Sequence, residues 1–203
     1  MTWRVLATKG CGSAIIELAL TVAKIPFVRE EHVYDEPEGR AALAVYNPLA
    51  QVPTVIMPDG SVMTESLAIS IVIDELVPAA KLLPPPGDPL RAQALRWLTF
   101  LVAAIYPTFT YGDEFAKWNV GKELRTSTDA HREKLWRHLD GVAVGPWFLG
   151  ERFSVIDLYI CVMSYWRPRQ PWFATEAPKL YAIARGVAAM PELVPILDAN
   201  FGE

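Results

Sequence analysis

Cys11 and Ser13 stand in TKGCGSAII, where a short apolar run, WRVLA at residues 3–7, gives way through two glycines to the apolar helical pattern IIELALTVA. A thiol of ordinary pKa, about 8.5, is mostly protonated at neutral pH, and a hydroxyl or thiol donor at a helix N-terminus favours its thiolate. The pair therefore suits the activation of a sulfur nucleophile. A small residue in a tight turn at Cys11 and a helix cap at Ser13 satisfy the same local pattern. A second constellation lies in NPLAQVPTVIMPDGSVMTES, residues 47–66. Asp59-Gly60 between apolar runs is hairpin-turn chemistry, because glycine accepts the positive φ such turns demand. Gln51, Val52 and Pro53 lead into the hairpin, and Glu65 and Ser66 close it. Ser66 opens the helical run SLAISIVIDEL, where a hydroxyl joins free N–H groups and the positive dipole end, a seat that suits a carboxylate. An N-cap with a favourable acid beside it accounts for Glu65 and Ser66 equally well.

Elements of alternating type must hold these residues in place. WRVLA reads as a strand, IIELALTVA as a helix, FVREEHVY as a second strand and DEPEGRAALAVY as a short helix ended by Asn47-Pro48. The hairpin TVIM/SVM and the helix SLAISIVIDEL follow. The order β-α-β-α-β-β-α over residues 1–77 predicts an α/β layer with a mixed sheet. The proline-rich stretch at 78–89 reads as a linker, and residues 90–203 carry helical spacing only, as in RAQALRWLTFLVAAIY and DAHREKLWRHLDGVA. One helix start there follows from local chemistry. In RFSVIDLYI, Ser154 and Asp157 have capping-box spacing, with Phe153 and Leu158 at the staple positions, a combination worth ~1 kcal/mol for the cap.

Composition narrows the function classes. Of the 203 residues, 52 % are hydrophobic, enough to bury a sizeable core. A net charge of −4 and no concentrated basic face argue against a nucleic-acid partner. MTWRVLATKG lacks a signal-peptide core, and LVAAIY ends at Pro107, short of a membrane span, so a soluble cytoplasmic protein is expected. Cys11 and Cys161 lie far apart and form no CxxC or metal cluster. Cys161, inside LYICVM, reads as a small core residue. His131 and His138 have no ligand partners at metal spacing and read as surface residues.

NPLAQVP, the PDG hairpin, TES followed by LAIS, the proline-rich linker and GERFSVIDLYI together resemble the cytosolic glutathione transferase superfamily, in order and over nearly the whole chain. The resemblance implies a thioredoxin-like α/β N-terminal domain, an all-α C-terminal helical domain, and a homodimer with a glutathione site in each subunit. It implies a cis bond before Pro53 that turns the Val52 backbone toward the cysteinyl part of glutathione. Ser66 would then take the γ-glutamyl carboxylate and Glu65 the ammonium, with Gln51 and Pro53 beside them and Arg40 within reach of the glycyl carboxylate. The segment at Cys11 is most similar to the bacterial beta class, which uses a cysteine, although counting back from Ile25-Pro26 without gaps puts that position on Gly12. Tyrosine-using classes place their tyrosine in this segment. The first tyrosine here is Tyr34, so that route is not expected.

The resemblance further implies that glutathione, as co-substrate and without a metal, is held as thiolate near Ser13 and Cys11 and attacks a small electrophile. Tyr106 falls near where beta-class relatives place a polar residue over the active site, and Trp166, Arg167 and Arg169 in YWRPRQPW would wall the electrophile pocket. A half-buried interface tyrosine at 106 and cations closing a helix C-terminus fit those positions too. Two other functions share these residues: glutathione-dependent thiol/disulfide exchange through Cys11, and a non-catalytic binding module.

Overall fold

The structure is a computed structural model and describes residues 2–202. Its first seven elements are β1 (Trp3–Ala7), α1 (Ser13–Val22), β2 (Phe27–Glu31), α2 (Pro37–Ala44), β3 (Thr54–Ile56), β4 (Val62–Met63) and α3 (Ser66–Leu76). The sheet order is β2-β1-β3-β4. β1 and β2 run parallel, as a crossover through α1 requires, while β3 and β4 pair antiparallel as the hairpin. β1 also pairs antiparallel with β3, Val5 opposite Val55. This is the thioredoxin-like α/β layer expected from the order of apolar runs.

Physical causes for these elements are local. β1 is central and covered on both faces, so Val5, Leu6 and Ala7 are all buried and the strand reads as a continuous apolar run. α1 is apolar nearly all round, and Ser13–Leu20 are buried where it packs on β1 and α3. Each such Leu or Ile contributes roughly 1.5–3 kcal/mol on burial. At the hairpin tip Gly60 takes φ +89, and Asp59 Oδ1 accepts from the Ser61 N–H at 2.9 Å and its hydroxyl at 2.6 Å.

The chain divides into two compact units: one takes residues up to Leu83 together with Val187 onward, the other is Pro84–Gly186. The first crossing falls inside the proline-rich stretch. The return at Val187 differs from the expected helical domain over 90–203, because the final helix joins the sheet-bearing unit. That helix, α10 (Val194–Phe201), packs against α1. Between the crossings run α4 (Pro89–Phe100), α5 (Tyr106–Asp113), α6 (Glu123–Val142), α7 (Val155–Ser164) and α8 (Gln170–Glu176), and α9 (Pro178–Ala188) crosses the boundary. A π-helical turn, Leu101–Ile105, joins α4 to α5 immediately before Pro107, which has no N–H for a regular helical bond.

All ten residues of α7 are buried. Its entry is the predicted capping box: Asp157 Oδ2 accepts from the Ser154 N–H at 2.7 Å, and Oδ1 accepts from the Phe148 N–H at 2.8 Å. Burial pushes the Asp157 carboxyl up to about 6 despite those donors.

Candidate functional site

Residues 8–13 form a turn whose shape is set from several directions. Gly10 takes φ +76, which glycine adopts without a side-chain clash. The Cys11 N–H donates to the Thr8 carbonyl at 3.2 Å. Glu31 Oε1 accepts from the Lys9 N–H at 2.8 Å, and Asn200 Oδ1, from α10, accepts from the Gly10 N–H at 3.3 Å. Asn200 Nδ2 donates to Glu17 Oε2 at 3.4 Å, and the Arg29 guanidinium stands 3.1 Å from the same carboxylate. The last helix of the chain thereby fastens the first turn.

Ser13 is fully buried within this turn. Its hydroxyl donates to the Thr8 carbonyl at 3.2 Å and accepts from the Thr8 N–H at 3.3 Å. A hydroxyl has one proton to give, and this one is given to the backbone. Cys11 is half-buried, and its thiol is pushed up to about 11 by burial and by the carboxylates of Glu31 and Asp35. A hydrogen bond with Tyr34 and the charge of Arg29 oppose that rise. At neutral pH Cys11 is therefore mostly the protonated thiol. Gly12 is the N-cap of α1, and no side chain caps the helix there.

The second constellation surrounds the start of β3. The Val52–Pro53 peptide bond is cis. Buried Asn47 organises the approach: its Nδ2 donates to the Gln51 carbonyl at 3.3 Å and to Thr54 Oγ1 at 3.2 Å, and its Oδ1 accepts from the Leu49 N–H at 3.0 Å. Pro53 is buried, Gln51 is exposed, and Val52 packs on the cluster of Leu6, Leu43, Ala50 and Ile56. At the entry to α3, Glu65 is the N-cap and Ser66 the first helical residue. Glu65 is exposed and takes φ 63, ψ 99, outside the regions a residue with a Cβ prefers. Arg40 is exposed on α2.

In the other unit, Tyr106 and Trp166 meet edge to face with ring centroids 5.5 Å apart, and Phe109 lies 5.2 Å from Trp166. Arg169 is exposed at φ 76 ahead of α8 and lines a cavity of about 270 Å³ with Asp129, Arg132, Glu133, Arg167 and Pro168. Arg167 pairs with Asp113 at 2.6 Å and with Asp129 at 3.4 Å.

Residues 13–76 match the family model described as the glutathione S-transferase N-terminal domain. The uncharacterized GST-like protein YncG of Escherichia coli K12 is 35 % identical over 202 residues, 97 % of this chain and 98 % of that protein. The chain belongs to the glutathione S-transferase family. A sphingomonad glutathione S-transferase solved in complex with glutathione is 25 % identical with a TM-score of 0.81, over 97 % of this chain and 98 % of that one. The beta-class enzyme of Sphingomonas chungbukensis shares the fold at 22 % identity and TM-score 0.81, over 98 % of this chain and 100 % of that one.

Three residues of this region lie outside the candidates that the sequence marks. Tyr34, beyond the Cys11 segment, packs its ring on the same cluster that seats Val52. Asn200 lies 190 residues from the amide it holds, and no local pattern points to it. Asn47 could have been found, because Asn before Pro at a chain reversal suits the side-chain-to-backbone bonding it makes here.

Proposed function

We propose that this transferase-family chain binds glutathione on its sheet-bearing unit and directs the thiolate at a small hydrophobic electrophile. The observation that carries the reading is Glu65. A charged, exposed residue held at φ 63 beside Ser66 at a helix start is a strained arrangement of the kind that gathers at ligand sites. As the site for a γ-glutamyl group it has a purpose: the carboxylate of Glu65 faces the ammonium, while the Ser66 hydroxyl and the α3 dipole take the carboxylate. The Val52 backbone, with Gln51 and Pro53, is the proposed seat of the cysteinyl unit, and Arg40 that of the glycyl carboxylate.

The sulfur is proposed to lie at the Cys11 turn, with Ser13 shaping that turn from inside through Thr8. In the reaction the thiol proton passes to water, the thiolate forms a C–S bond, and the leaving group departs with its bonding pair. Tyr106 and Trp166 form an aromatic pair and Arg169 carries charge in the helical unit, and these are the residues proposed for electrophile recognition. Detoxification of reactive electrophiles by a cytoplasmic homodimer is the setting this reading suggests. Conjugation is preferred to thiol/disulfide exchange because Cys11, pushed up to about 11, supplies little thiolate.

Isothermal titration with glutathione followed by an electrophile panel tests the proposal. Glutathione binding together with turnover of an aryl or alkyl halide is the expected result. A parent protein that binds no glutathione would remove the reading in favour of a module that keeps the fold without the chemistry.

A further inference from the structure

The cavity of about 270 Å³ in the helical unit is walled by three guanidiniums, those of Arg132, Arg167 and Arg169, against two carboxylates, Asp129 and Glu133. Arg132 is its fixed wall. Its side chain is wholly buried on α6, where Nε donates to Thr108 Oγ1 at 2.8 Å, Nη2 to the Thr108 carbonyl at 3.1 Å and Nη1 to the Arg167 carbonyl at 3.2 Å. The guanidinium carbon lies 3.8 Å from the centroid of the Phe109 ring. A buried charge is tolerated only when it is paired and hydrogen-bonded. Here the pairing is shared. Asp129 stands 2.7 Å from Arg132 and 3.4 Å from Arg167, and Asp113 divides itself between Arg167 at 2.6 Å and Arg125 at 3.0 Å. Glu133 pairs with Arg137 at 3.4 Å. Asp113 and Asp129 thus serve three cations before Arg169 is counted. No ion pair engages Arg169 among the described residues. Its backbone is held at φ 76, ψ 161, with its N–H bonded to the Trp166 carbonyl at 2.7 Å and its carbonyl accepting from the Trp172 N–H at 3.0 Å. Glycine alone adopts that region freely, and strain of this kind gathers at ligand clamps. What an arginine brings to position 169 is therefore its side chain.

An unpaired guanidinium beside a surplus of positive charge attracts an anion, and its planar fork suits a carboxylate, two N–H groups to two oxygens. The space is several times the ~30 Å³ that one water takes in the liquid, and it matches a small organic acid. Asp129 and Glu133 on the same walls set the charge of the ligand. They repel a second carboxylate and accept from a hydroxyl or amine. We propose that this cavity binds a small monocarboxylate, gripped through Arg169 and presenting a hydrogen-bond donor to the acidic wall. The site lies within the helical unit, so its occupancy does not depend on glutathione. To the functional reading it adds the chemical class of the group that Arg169 would hold.

Lactate, methyl lactate and malonate separate these features when titrated at neutral pH and low salt, with the amide chemical shifts of Arg167, Arg169 and Gln170 as readout. Lactate should shift those amides saturably, its uncharged ester should not, and malonate should bind about tenfold more weakly than lactate. Arg169→Gly suits φ 76 and so keeps the fold, yet it should weaken lactate about tenfold or more. Arg169→Lys, which keeps the charge and loses the fork, should weaken it by a smaller factor. Glu133→Gln should narrow the gap between malonate and lactate. A parent that ignores lactate, or takes the methyl ester equally well, overturns the proposal, as does an Arg169→Gly protein with parental affinity. An unchanged malonate-to-lactate ratio in Glu133→Gln overturns the part given to the acidic wall. Lactate binding by a parent that binds no glutathione sustains this site while removing the functional reading.

Discussion

Replacing Glu65 by Gly and by Ala separates what this position costs the fold from what it gives the ligand. Its φ 63, ψ 99 lies beyond the left-handed helical basin, whose ψ is about 30–60°, and such a conformation costs on the order of 1–3 kcal/mol for a residue with a Cβ. Alanine keeps the Cβ and therefore the strain. Glycine removes it, but the freer unfolded chain returns roughly 0.5–1 kcal/mol. The Glu65→Gly protein should accordingly be more stable than Glu65→Ala by about 0.5–2 kcal/mol in urea denaturation. Both lose the carboxylate, whose proposed charge-assisted bond to the γ-glutamyl ammonium would be worth ~1.5–3 kcal/mol, so both should bind glutathione about 10- to 100-fold more weakly by calorimetry. Stability and affinity then move in opposite senses in the glycine variant. Equal stability of the two variants refutes the strain argument, and parental affinity in either one refutes the role of Glu65 as a ligand.

Asp157 should make the protein's stability depend on pH in a sense opposite to that of an ordinary paired carboxylate. Its folded pKa, about 6, stands above the unfolded value of about 3.9, so the contribution is present below ~pH 4 and lost as pH rises through 6, by roughly 3 kcal/mol. The stability difference between parent and Asp157→Asn, followed by urea melts from pH 4 to 7, should fall accordingly; a flat difference counts against it. Ser13→Ala should strand the Thr8 N–H and cost about 1–3 kcal/mol in stability while the bound thiol's pKa stays put. A shifted thiol pKa with unchanged stability would return Ser13 to the role of donor. Asn200→Ala frees the Gly10 amide, so hydrogen exchange in residues 9–12 should accelerate and glutathione should bind more weakly; unchanged exchange there would show that α10 does not support the turn.

The legibility of this protein tracks the range of the forces involved. The central run Val5-Leu6-Ala7, the apolar α1, the Asp59-Gly60 tip and the Ser154–Asp157 box are each decided within about one element's length, and the chain shows them as periodicity, turn chemistry and spacing. The same holds for Glu65 and Ser66 as a helix entry. The backbone angle that makes Glu65 unusual, φ 63, ψ 99, has no signature in residue type or spacing. The return of α10 to the first unit is invisible for a similar reason: an amphipathic segment announces that it will be buried, not which partner buries it.

The environment of the Cys11 turn lies at the far end of that scale. A residue's type and its place at a helix start recommend Ser13, but a donor is useful only if its proton is still available. The short side chain that fits the start of α1 also fits the Thr8 carbonyl behind it, so the nearest hydroxyl in sequence is the one the fold itself uses. The loop after β2 is placed by longer-range order. Tyr34 there packs on a cluster assembled from β1, α2 and β3, so its position is set only once all of these have packed. Spacing along the chain cannot show this placement, since it depends on the parallel register that sets Ala7 beside Glu31 and brings the two loops together. Moving that register by one residue would turn the side chains of β2 to the opposite face, so the surroundings of the Cys11 turn are a property of the assembled sheet rather than of any segment within it.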